Sequence, residues 1–160
     1  MKTDPSRILG GLLRNRRLML ATAESCTGGL VATLITDIPG SSDYFAGGVV
    51  TYSNAAKQNL LNVSAAILAR HGAVSRPVVR QMALNVCRLF DTAVGIAVSG
   101  IAGPGGGNPT RPVGLVFIAV ALDHKVVSRR ALFSGSRQAI REKAAAVALD
   151  LCCRTIASGD

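Results

Sequence analysis

The apolar positions along the chain change period several times, and each change marks an element. Behind Asp4-Pro5, a capping residue followed by proline in the first turn, Ile8, Leu9, Leu12 and Leu13 recur at helical spacing and predict a helix to about Arg16. Leu18–Ala23 is a short apolar run, read as a buried strand. It ends at Glu24-Ser25-Cys26-Thr27-Gly28-Gly29, after which Leu30–Ile35 reads as helix. Asp37–Gly48, with Pro39, Gly40 and paired serines, is expected to be loop, and Val49–Tyr52 a β-rich run. Ser53 or Asn54 caps a short helix carrying Lys57. Ser64 caps another that ends at His71-Gly72, and Ser75-Arg76-Pro77 opens a longer one through about Leu89. Thr92–Ser99 is a buried strand by its apolar, β-branched run, followed by a glycine loop from Gly100 to Gly107. Pro112–Leu122 and Lys125–Phe133 are two strands around the turn Asp123-His124, hence a hairpin. Ser136 caps a last helix whose apolar face is Ala139, Ile140, Ala144, Val147, Ala148 and Leu151. There is no internal repeat and no linker. Helices alternating with strands, then a late hairpin, predict the α/β class: one layered α/β/α domain over residues 1–160 with a mixed β-sheet.

Composition narrows the class further. The 160 residues are 49% hydrophobic but only 4% aromatic, with no Trp, so the apolar content is Ala, Val, Leu and Ile. A chain this apolar offsets its ordering entropy, which excludes disorder. The longest clean apolar run, Leu115–Leu122, is far short of the ~20 residues that span a bilayer, and Leu18–Ala23 is short for a signal-peptide core. The expectation is a well-filled core and no membrane partner. High apolar content in so small a chain also fits a homo-oligomer with a buried shared face. Cys26, Cys87, Cys152 and Cys153 form no C-x-x-C pair, and only His71 and His124 are at hand as nitrogen ligands. No metal site is expected, and free thiols suit a reducing cytoplasm.

The net charge of +9 first suggests nucleic acid. Its distribution changes that. Residues 1–20 carry Lys2, Arg7, Arg14, Arg16 and Arg17 against Asp4. Residues 123–143 carry Lys125, Arg129, Arg130, Arg137, Arg141 and Lys143 against Asp123 and Glu142. Few aromatics are available for base stacking, and there is no helix-turn-helix or zinc pattern. Nucleic acid is therefore disfavoured against a small anionic ligand.

Four clusters carry residue types suited to chemistry. Ser25-Cys26-Thr27-Gly28-Gly29 puts two hydroxyls and a thiol on a bend at a strand end, with backbone N–H groups placed to receive an anion. The plain structural alternative is an ordinary helix cap. Tyr52-Ser53-Asn54 precedes Lys57, a base if desolvated and otherwise a solvated surface residue. Ser99-Gly100-Ile101-Ala102-Gly103-Pro104-Gly105-Gly106-Gly107 is neither a Walker A loop nor a dinucleotide fingerprint, yet glycine this dense lets a ligand approach backbone N–H groups. Arg137 and Arg141 share one face near a helix start, against the helix dipole, a cost that an anionic ligand offsets. Glu24 could orient a neighbouring group or cap the turn.

Taken in order, these segments resemble the CinA C-terminal domain family. They are Ala23-Glu24-Ser25-Cys26-Thr27-Gly28-Gly29, Gly48-Val49-Val50-Thr51-Tyr52-Ser53-Asn54 with Lys57, His71-Gly72-Ala73-Val74-Ser75, Ser99 through Pro104 with Pro112-Val113-Gly114, and Phe133-Ser134-Gly135-Ser136-Arg137 with Ile140-Arg141. The resemblance runs from about Arg7 to Thr155. Two departures stand out: Arg111 where Lys is usual, and Leu115 and Phe117 in place of Thr and Trp.

Stand-alone members of that family are nicotinamide-nucleotide amidases. The resemblance thus implies hydrolysis of the carboxamide of nicotinamide mononucleotide to nicotinate mononucleotide and ammonia, a pyridine-nucleotide salvage step. It implies Ser25 as nucleophile, Lys57 as its base, Tyr52 at the site and Arg141 assisting substrate binding. Ser-Lys pairs do such chemistry without histidine, metal or cofactor. Thr27, Gly28 and Gly29, or Ser99, Gly100 and Gly103 of the glycine loop, would supply N–H donors, and Arg137 with Arg141 would meet the phosphate. Cys26 is the rival nucleophile. The rival function is non-enzymatic: a nucleotide sensor, or a DNA-associated competence or damage-inducible domain.

Overall fold

A computed structural model describes residues 4–159; Lys2 of the first basic block lies outside them. Helix α1 (Pro5–Arg16) starts where expected, with the Asp4 carboxylate accepting from the Ser6 N–H, and stops at Arg17 in the left-handed region (φ 55°). Then follow β1 (Leu20–Glu24), α2 (Leu30–Thr36), a 3-10 turn at Ser41–Asp43, β2 (Phe45–Val50), α3 (Asn54–Leu61), α4 (Ala65–His71), α5 (Arg76–Phe90), β3 (Val94–Gly100), β4 (Leu115–Leu122), β5 (Lys125–Leu132) and α6 (Arg137–Ser158). The sheet order is β2-β1-β3-β4-β5. β1 runs parallel to both its neighbours, and β3, β4 and β5 pair antiparallel, with Leu122 opposite Lys125 at the hairpin turn. The sheet is mixed and layered between helices.

The two sheet faces are built from different residue sizes. Leu20, Val94, Ile96, Val98, Val116, Ile118 and Val120 face α1, α2 and α6. The opposite face offers Ala21, Ala23, Ala97, Ala119 and Ala121 to α5, which supplies the bulk with Val78, Val79, Met82 and Val86. On the first face the sizes reverse, and α6 packs Ala144, Ala145 and Ala148 against the branched residues. Large against small on each side lets both layers reach native density. Gly95 is the tightest point: a Cβ there would lie 2.4 Å from the Ala83 carbonyl oxygen and 2.6 Å from Cys87 Sγ. Gly95→Ala should therefore lower the unfolding free energy by about 1–3 kcal/mol through overpacking, read as an earlier denaturant midpoint at unchanged slope. An unshifted midpoint would show that α5 does not approach this closely.

Two expectations need correction. Asp37–Gly48 is not all loop, because β2 begins at Phe45 and includes Gly47 and Gly48. Glycine is required there by close approach, since a Cβ on Gly48 would sit 2.1 Å from Thr22 Oγ1. The buried face of α6 is also rotated from the expected one, toward Leu149, Cys152, Cys153 and Ile156, with Val147 and Leu151 only half-buried. The neighbouring thiols are core side chains, and all four cysteines are free. Among the described residues no helix is long and apolar enough to cross a membrane.

Candidate active site

The parallel strands β1, β2 and β3 end at one edge of the sheet, at Glu24, Val50 and Gly100. In an open α/β sheet that edge is where ligands bind. Each ladder continues one residue past its strand: the Ser25 N–H donates to Val98 O (3.0 Å) and the Thr51 N–H to Glu24 O (2.8 Å). These bonds fix Ser25 and Thr51 side by side.

Lys57 comes to them from α3. Ser53 caps that helix, its hydroxyl accepting from the Ala56 N–H at 3.0 Å. Side chains on a helix lean toward its N-terminus, so Lys57 reaches back to the strand ends. Its Nζ lies 2.7 Å from Thr51 O and 3.1 Å from Ser25 Oγ. Lys57 is 1% exposed and Ser25 8% exposed. No carboxylate pairs with the amine: among the described residues the ion pairs are Arg14–Asp43 and Arg154–Asp150. Burial pushes the Lys57 pKa below the ordinary lysine value. The arrangement is a neutralisable amine within hydrogen-bond reach of a hydroxyl, which is the minimum for an activated serine.

Glu24 proves to be the cap of the turn. Its buried carboxylate accepts from the Gly29 (3.1 Å), Val31 (3.0 Å) and Ala32 (2.8 Å) N–H groups, filling the start of α2. This corrects the expectation that Gly28 and Gly29 offer free donors: Gly29 is bound to Glu24, and the Gly28 N–H donates to Ser25 O at 3.0 Å. Glu24→Ala would strand three N–H groups, and we expect a loss of at least about 2 kcal/mol in stability, measured by thermal or denaturant unfolding. A variant as stable as the parent would contradict the capping role.

Cys26 is buried and belongs to the core cluster on the α6 side of the sheet. Burial pushes its thiol up to about 11, and the Glu24 charge adds to this against Lys57 and Arg141. A thiol held protonated in the core is a poor nucleophile.

The remaining residues are tied to the turn and to one another by hydrogen bonds. Tyr52 is 60% exposed, and its hydroxyl accepts from Arg137 at 2.8 Å. Arg137 also donates to Gly103 O at 2.7 Å, which ties the glycine loop to Tyr52. Arg141 donates through Nε to Cys26 O (3.0 Å) and through a terminal nitrogen to Thr27 O (2.9 Å). Both arginines border an open groove of about 290 Å³ with Leu30, Gln138 and Glu142. Ser99 does not face it; its buried hydroxyl donates to Ala73 O. Gly100 and Gly103 also serve packing, because a Cβ would strike Val116 at the first and Val113 at the second. His71 and His124 stand apart. The His71 carbonyl accepts from Arg111, and His124 sits in the turn at the other end of the sheet, beside a cavity of about 290 Å³ lined also by Cys87 and Asp91. Among the described residues no cluster of His, Cys, Asp and Glu is placed to hold a metal ion. What sequence reasoning missed are the acceptors: Thr51 O, Cys26 O, Thr27 O and Gly103 O are main-chain atoms with no signature in a sequence.

The chain matches the family model described as CinA C-terminal domain over residues 2–156. It is 49% identical over 149 residues to a Moorella thermoacetica protein named for competence-damage induction, covering 93% of this chain and 36% of that one. It is 50% identical over 142 residues to a CinA-like protein of Gemmatimonas aurantiaca, covering 89% and 33%. The chain thus spans about a third of the length of these relatives. Among solved structures, the competence-damaged protein (CinA) superfamily protein of Klebsiella pneumoniae superposes with a TM-score of 0.93 at 34% identity, over 96% of each chain. The competence/damage inducible protein CihA of Agrobacterium tumefaciens gives 0.87 at 38% identity, over 94% of each. On the model match over residues 2–156 and on this level of identity, the chain belongs to the CinA C-terminal domain family.

Proposed function

We propose that the chain hydrolyses the carboxamide of nicotinamide mononucleotide to nicotinate mononucleotide and ammonia, by a Ser-Lys mechanism. The observation that carries this is the buried Lys57 amine, 3.1 Å from Ser25 Oγ and without a carboxylate partner. In this reading Ser25 Oγ attacks the carboxamide carbon while Lys57 Nζ takes the hydroxyl proton. The carbonyl oxygen becomes an oxyanion received by backbone N–H of the turn. Lys57 returns its proton to the amide nitrogen, the C–N bond breaks and ammonia leaves a Ser25 ester. Water then attacks the ester, losing a proton to Lys57. Collapse frees the carboxylate and restores Ser25. The groove beside α6 would take the nucleotide, its phosphate meeting Arg137, which keeps donors free beyond the two it has committed.

A binding-only sensor has no use for an unpaired buried amine, which costs folding free energy wherever it is charged. This weighs against the non-enzymatic reading. The test is ammonia release from nicotinamide mononucleotide against a panel of other primary amides. Selective turnover of the mononucleotide supports the proposal, and no release from any amide overturns it.

A further inference from the structure

Arg141 has the chemistry of a phosphate ligand, but two of its five donors are committed to the nucleophile turn. The fork lies flat against the nucleophile turn, with Nε on Cys26 O and a terminal nitrogen on Thr27 O. The fit is close: a Cβ on Gly28, where φ is 59°, would come within 3.3 Å of that nitrogen. In a trans peptide the C=O of one residue and the N–H of the next point in opposite directions on one rigid plane. Holding Thr27 O therefore sets the direction of the Gly28 N–H, which donates to Ser25 O. Holding Ser25 O in turn sets the direction of the Cys26 N–H.

Among the described residues that last group donates to no residue other than its own thiol. Thr27 is fully buried, so its N–H is closed to a ligand, and Cys26 is the residue of the pair that keeps any exposure, at 4%. The N–H following a nucleophile is placed to meet the oxyanion its attack creates.

We propose that Arg141 is a positioning residue: through the Thr27–Gly28 and Ser25–Cys26 peptide planes it aims the Cys26 N–H as the oxyanion donor. This rests on the amidase reading above. Its removal should act on kcat rather than on substrate affinity. Losing a whole oxyanion donor slows turnover by about 10²–10³-fold, and Arg141→Gln should fall in that range with KM for nicotinamide mononucleotide changed less than about threefold. Arg141→Lys should not recover the rate, since one ammonium cannot reproduce a fork across two carbonyls. A lysine would still hold a phosphate.

The experiment is steady-state kinetics of both variants, with crystal structures of both. A kcat loss unrelieved by Lys, with the Ser25–Gly28 turn reoriented, is the expected result. A raised KM with kcat intact, or recovery by Lys, overturns the proposal and makes Arg141 a substrate ligand. If the parent protein releases no ammonia, the amidase reading fails, and the turn then decides alone. A turn unchanged in both variants sinks the positioning role, and a rearranged one upholds it.

Discussion

Ser25→Ala should abolish ammonia release, lowering kcat by about 10⁴-fold or more, the scale on which nucleophile deletions act in serine hydrolases, while leaving the fold and its melting temperature nearly unchanged. The side chain lost is one hydroxyl whose partner is Lys57 Nζ. The backbone bond from the Ser25 N–H to Val98 O survives the substitution, so the turn keeps its place. Cys26→Ala is the necessary companion. Its thiol is buried and held protonated, so its removal should leave kcat within a few-fold of the parent and cost only core packing. The assay is ammonia release, with a melting curve for each variant. A dead Cys26→Ala beside an active Ser25→Ala would reverse the two roles. Activity surviving in both would mean that the chemistry lies elsewhere.

How far the molecule could be read from its residues depended on what each feature is made of. Helices α1, α3, α4 and α6 begin where Asp4, Ser53, Ser64 and Ser136 provide side-chain caps, and such caps are visible in sequence. The Asp123-His124 hairpin was equally plain, because two strand-forming runs separated by a two-residue turn pair across it. The start of β2 was hidden because Gly47 and Gly48 carry no side-chain signal. What makes them strand is parallel pairing with Ala21 and Thr22 of β1, a tertiary fact. The same division runs through the site. Ser25, Lys57, Tyr52, Arg137 and Arg141 stand out by residue type, and the fold gathers them at one sheet edge. What each one bonds to did not stand out, since Lys57, Arg137 and Arg141 all end on carbonyl oxygens that every residue possesses. Glu24 lies between these cases: a carboxylate at a strand end announces a polar role, but only the path of α2 selects capping over orienting a neighbour.

Lys57→Met should do two things at once: remove activity and raise stability at neutral pH. Methionine has nearly the same reach and no charge, and the site is 1% exposed, so the core face of α3 is kept. The sign follows from proton linkage. Burial holds the folded-state pKa of Lys57 below its unfolded value of 10.5, so the unfolded chain binds more protons and parent stability rises with pH. The relative penalty on the parent is full below the folded pKa. It shrinks as pH climbs between the folded and unfolded values, and vanishes above the latter. The difference in unfolding free energy between Lys57→Met and the parent should therefore favour methionine at pH 7 and close as pH passes from the lowered folded pKa to 10.5. Denaturant melts across that range measure it. The parent's kcat/KM should rise over the same span, on an acidic limb set by the lowered Lys57 pKa, because only the neutral amine can take the Ser25 proton. A stability gap independent of pH would mean that Lys57 titrates as it does in water. The amine would then be no base, and the Ser-Lys assignment would lose its support.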